Sequence, residues 1–174
     1  MLKKLTALGV HRAAFVPVED IVFDPSLRLS CEQNYCGNFG ANYMCPPDIG
    51  NVEDLIQKAR GYKTALVFQT VGKIEDSFDI EGMGEVKRRH LEISTEATKI
   101  VKKAYPDCMP LGAGGCMICE RCGKIDGVPC RHPEDAVPSL ESYGIWVSKL
   151  AEAAGMKYIN GQNTVTYFGA FLIK

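Results

Sequence analysis

The sequence lacks a charge excess, a long apolar run, a secretory leader and a recognisable nucleophile triad, and each absence removes a class of function. Lysine and arginine number 20 against 21 acidic residues, for a net charge of -1. No basic footprint for nucleic acid is therefore present. No stretch approaches the roughly 18 uninterrupted apolar residues of a membrane helix. The opening segment has Lys3 and Lys4 and then an apolar run, but Gly9, His11 and Arg12 cut that run before it reaches signal-peptide form. This reads as a soluble, cytoplasmic protein. Neither a Ser-His-Asp nor a Cys-His arrangement can be read from the chain, so a hydrolase is not indicated.

What the chain does have is cysteine: eight in 174 residues, at positions 31, 36, 45, 108, 116, 119, 122 and 130. A chain of this length, 46% hydrophobic, is expected to fold as one domain, residues 1–174, and to bury its own core without disulfides. In a reducing compartment lasting disulfides are rare, and clustered thiols bind metal.

The cysteines lie in two loops between regular segments. A short helix is expected near Leu2–Leu8 and one short strand within Ala13–Phe23, with Asp24 and Pro25 turning into the first cysteine loop. Asn51 is a good N-cap, and Val52, Leu55, Ile56 and Ala59 recur at helical spacing up to Gly61. Thr64–Val71 reads as a central strand. A long helix over Gly84–Ala104 puts Val86, His90, Ile93, Ala97, Ile100 and Val101 on one face. A short strand runs from Cys108 into the glycine turn at Gly112–Gly115. Pro138–Ala154 reads as a helix closed by Gly155, and Thr164–Ile173 as a terminal strand buried on both faces. Strands alternating with helices predict an α/β sandwich with cysteine-rich loops inserted between them.

The second loop reads Cys116-x2-Cys119-x2-Cys122-x7-Cys130. Three thiolates at successive three-residue steps let a loop curl around a compact inorganic body, with a fourth arriving from further along. This favours a [4Fe-4S] cluster. Zinc, the competing reading, more typically takes two separated C-x2-C knuckles, whereas here two knuckles share Cys119. Arg121, Lys124, Arg131 and His132 would offset the cluster's negative charge, although a solvated loop accounts for them equally. Gly112, Gly114, Gly115, Gly123 and Gly127 allow close backbone approach. A phosphate cradle at Gly112–Gly115 is discounted because neither a Walker lysine nor a helix start follows.

The first loop, Cys31-x4-Cys36-x8-Cys45-Pro46-Pro47, offers three thiols for a second cluster, the prolines holding Cys45 extended. Tyr35, Phe39 and Tyr43 either shield a centre from water or pack the loop on the core. Cys108 is the only thiol left as a fourth ligand. It also suits a strand interior as a small hydrophobe, which would leave one iron of the first site open to water or substrate.

Taken together, C-x4-C followed by Cys45-Pro46-Pro47, the run Leu111–Cys122, Pro129–Pro133 and Ser139–Ile145 resemble a prokaryotic family of predicted metal-binding proteins, domain of unknown function 2284. The resemblance implies metal binding through the seven loop cysteines and no particular reaction; it does not extend to Cys108. Bacterial ferredoxins share only the C-x2-C-x2-C element, and Cys130 lacks their following proline, so Cys130 is expected to return to the same cluster.

Among the other polar residues, His90 on an apolar stripe reads as a hydrogen-bonded core histidine or as a proton donor near an open cluster. Lys87, Arg88 and Arg89 read as a solvated face. The expected function is electron transfer to a redox protein partner through one or two [4Fe-4S] clusters. The alternatives are an enzyme binding a small-molecule substrate at an open iron, and a zinc-binding structural or regulatory module.

Overall fold

The two long β-branched and aromatic runs of the sequence, Thr64–Lys73 and Thr164–Ile173, form the centre of the sheet. In the computed structural model, which describes residues 1–174, the strands are β1 (Arg12–Pro17), β2 (Thr64–Lys73), β3 (Met109–Leu111) and β4 (Thr164–Ile173). Their spatial order is β1-β2-β4-β3, and every neighbouring pair is antiparallel. β2 and β4 pair over their whole length, from Thr64 opposite Ile173 to Lys73 opposite Thr164. Pro17, which has no N–H to donate, ends the edge strand β1.

The two-residue period of β2 divides the core. Ala65 and Val67 face a cluster that includes Leu55 and Ala59 of α3 (Val52–Arg60) and Leu150 and Ala151 of α5 (Val147–Ala153). Leu66 and Phe68 face Leu5 of α1 (Leu2–Ala7) and Ile93, Ala97 and Val101 of α4 (Ile80–Ala104). Helices thus cover both faces, and the molecule is the expected α/β sandwich, built in three layers. Phe68 and Phe171 stack at 5.7 Å between ring centroids on the α4 side, each fully buried ring contributing about 1.5–3 kcal/mol. Gly169 sits directly across from Phe68; a Cβ there would come within 2.4 Å of the Phe68 ring.

Local chemistry explains where the helices begin and end. The Asn51 side chain accepts from the N–H groups of Glu53 and Asp54, as its N-cap position predicts. α4 begins four residues before the expected Gly84, because Asp79 caps it by accepting from Gly82 N. The helix expected over Pro138–Ala154 is shorter. A 3-10 turn at Glu141–Tyr143 and a left-handed Gly144 at φ +66° interrupt it, and only Val147–Ala153 is α-helical. No helix is long and apolar enough to cross a membrane.

Candidate metal centre

The two cysteine loops, 71 residues apart between Cys45 and Cys116 in the sequence, are joined in space by side chains that lie between the cysteines. Buried Asn42 of the first loop donates from Nδ2 to the Cys116 carbonyl at 2.8 Å, while its Oδ1 accepts from Met44 N at 3.0 Å. The Tyr43 hydroxyl donates to the Val128 carbonyl at 2.9 Å, and Lys124 pairs with Asp48 and lies over the Tyr43 ring. A Cβ on Gly115 would meet Asn38 and Asn42 at 3.1 Å, so glycine is what permits the loops to approach this closely.

Within the second loop the four thiols converge. Cys116, Cys119, Cys122 and Cys130 line one small cavity, together with His132, Met44 and Tyr43. All four are partly buried. Four sulfurs on one tetrahedral zinc at about 2.3 Å must come within about 3.8 Å of each other. No three His, Cys, Asp or Glu side chains are gathered tightly enough to hold a single ion in this way.

Cys31 sits in the last turn of α2 (Leu27–Glu32), a helix whose formation the sequence did not announce. Cys36 is exposed and Cys45 is buried. Burial pushes the Cys45 thiol up to about 12, reinforced by the neighbouring thiols of Cys36, Cys31, Cys116 and Cys122. Cys45 therefore stands between the two loops' cysteines. The chain around it is not extended: Ile49 N donates to the Cys45 carbonyl at 3.1 Å, which closes a tight turn over the two prolines.

Cys108 has different surroundings. It packs with Leu5, Ala97, Val101 and Phe171 in the α4-side core, burial raises its pKa, and the charges that act on it are Lys102 and Asp107. It fills the place of a small hydrophobe.

The basic residues of the second loop are largely committed to carboxylates. Asp126 accepts from Arg121 at 2.6 Å and from Arg131 at 3.2 Å, and Asp48 takes Lys124. Hydrogen bonds from both arginines hold the Asp126 carboxyl below the usual carboxylate range. Arg131 also donates to the Arg121 carbonyl at 3.0 Å, and its charge lies close enough to Cys119 for the two to influence each other. Tyr35 is 91% exposed and shields nothing, whereas Tyr43 ties the loops together. His90 is buried between Phe68 and Tyr167, its Nδ1 2.8 Å from the Thr70 hydroxyl. This is the core histidine of the two readings above. Asn42 and Asp48 were not singled out in the sequence; neither sits at a motif spacing, and only the polar character of the first loop hinted at them.

The fold and the site together define an α/β sandwich that carries two interlocked cysteine loops. A family model described as "Predicted metal-binding protein (DUF2284)" matches residues 14–173, and the chain belongs to that family. No curated protein and no solved structure matches the chain.

Proposed function

We propose that the paired loops bind iron-sulfur, with a [4Fe-4S] cluster on Cys116, Cys119, Cys122 and Cys130, a second centre on Cys31, Cys36 and Cys45, and electron transfer to a redox partner as the activity. The observation that carries this reading is the convergence of four thiols on one cavity. An all-sulfur donor set suits iron-sulfur, and a bound cluster supplies reversible one-electron chemistry.

The chain's own residues set the conditions for that chemistry. Arg131 is oriented by Asp126 and lies near Cys119, so its positive charge would stabilise the more negative, reduced state. Cys45, near both sets of thiols, provides proximity between the two centres. Met117, Ile118, Ile125 and Val128 of the second loop are exposed apolar residues, a surface suited to transient contact with a redox protein.

A second reading rests on Cys108. With that thiol in the core, the first loop has three ligands, and an iron there would keep one position for substrate in an enzyme.

Single Cys→Ser variants purified without oxygen test both parts. Cys116→Ser and Cys130→Ser are expected to lose the same cluster, Cys45→Ser the other, and Cys108→Ser neither. A Cys130→Ser protein with full iron and sulfide would remove Cys130 from the set. Dithionite should bleach the visible absorption, and a spectrum unchanged by dithionite contradicts the carrier role.

A further inference from the structure

A large cavity lies beside the second cysteine loop. It is a groove of about 670 Å³ between one stripe of α4 and the segment Leu111–Ile118, and Cys116 lines both this groove and the thiol cavity. That volume falls within the range of small-molecule sites, about 300–1,000 Å³. The glycines make the room: Gly114, in the left-handed region at φ +73°, faces open space.

The groove has an apolar interior and a cationic rim. Leu91, Pro110, Met117, Ile118 and Val137 supply the accessible apolar surface, above the buried rings of Phe68 and Phe171. Three cations of α4 stand along it, Arg88, Lys99 and Lys102, against two carboxylates, Glu92 and Asp135. Arg88 is engaged by Glu92 and Lys99 by Glu96, each at 2.7 Å. Half-buried Lys102 takes part in none of the ion pairs. The N–H groups of Ala113 and Gly114 in the opposite wall donate to no acceptor in the protein. The hydroxyls of Thr95 and Thr98 are already turned onto their own helix carbonyls, and so offer no competing donor.

We infer that this groove binds a small amphiphilic organic anion, its apolar body against Leu91, Met117 and Val137 and its anionic group on Lys102 and the free backbone N–H groups. A ligand held there lies against the Cys116 loop, so the inference deepens the metal reading by naming the class of molecule that meets the centre. The binding itself rests on the groove and not on the metal.

The test is equilibrium dialysis of the protein as purified against 8-anilinonaphthalene-1-sulfonate and its neutral counterpart N-phenyl-1-naphthylamine. One sulfonate per chain is expected, with the neutral compound about tenfold weaker. Lys102→Glu should weaken the sulfonate by about tenfold or more, and Thr95→Trp, at an exposed helix position in the groove wall, should abolish it. Thr98→Trp serves the same purpose if the first tryptophan variant melts early. No binding, equal binding of the neutral compound, or unchanged binding in these variants overturns the inference. Iron and sulfide measured on the same samples keep the two readings apart, since dye binding with no iron refutes only the metal assignment, and iron with no dye binding refutes only the groove.

Discussion

Cys36 and Cys45 belong to one loop but differ in reactivity, because one is exposed and the other is 8% exposed with a thiol pushed up to about 12. At pH 8 only about one Cys45 in ten thousand is a thiolate. In metal-free protein, iodoacetamide should therefore modify Cys36 early, with Cys45 and Cys108 last, as read by peptide mass spectrometry. Metal should then protect Cys36 strongly, whereas Cys108 should be slow in either state. Early labelling of Cys45 contradicts the packing described here.

His90 makes a different residue-scale prediction. Burial pushes it from 6.5 down to about 4. The unfolded chain therefore takes up a proton near pH 6.5 that the folded chain refuses until about pH 4. Stability is complete above the unfolded value and falls as the pH drops through this window, by on the order of 3 kcal/mol in total. His90→Asn should flatten the fall in melting temperature between pH 7 and pH 4.5. Parallel loss in both proteins would mean that other groups drive it. Helical periodicity puts His90 on the inner stripe of its helix; its 2.8 Å contact with the Thr70 hydroxyl depends on strand register, which that periodicity does not report.

At the scale of elements, Asn42 is what fastens one loop to the other. Asn42→Ala removes the bond to the partly buried Cys116 carbonyl, a loss of about 1 kcal/mol. Metal should then leave faster to a chelator in this variant, followed by the decay of visible absorption, while the far-ultraviolet dichroism of the sandwich persists. Unchanged metal retention would show that the loops hold without it. Elements with strong local signals were legible: α3 through its Asn51 cap, and β2 and β4 through their apolar runs. The start of α4 was not, because its cap, Asp79, lies beyond the polar stretch before Gly84. Nor was the break at Gly144, where the chain turns left-handed against Ile56 and Asp24 in a contact made only by folding.

At the scale of the whole molecule, alternation of strands and helices was enough for the α/β sandwich, but not for its strand order. That order follows from the full-length pairing of β2 with β4, strands some ninety residues apart, and the sheet is antiparallel throughout. The cysteine spacing likewise named the four thiols of the second loop, which the fold brings to one cavity. It could not announce that Cys45 would reach across to them, since nothing local encodes the Asn42, Tyr43 and Asp48 contacts that bring the loops together. The decisive measurement is the metal content of protein purified without oxygen, taken as iron, zinc and acid-labile sulfide per chain. About eight irons and eight sulfides, with a brown colour, are predicted for two clusters, whereas a colourless protein holding zinc and no sulfide would contradict the iron-sulfur reading.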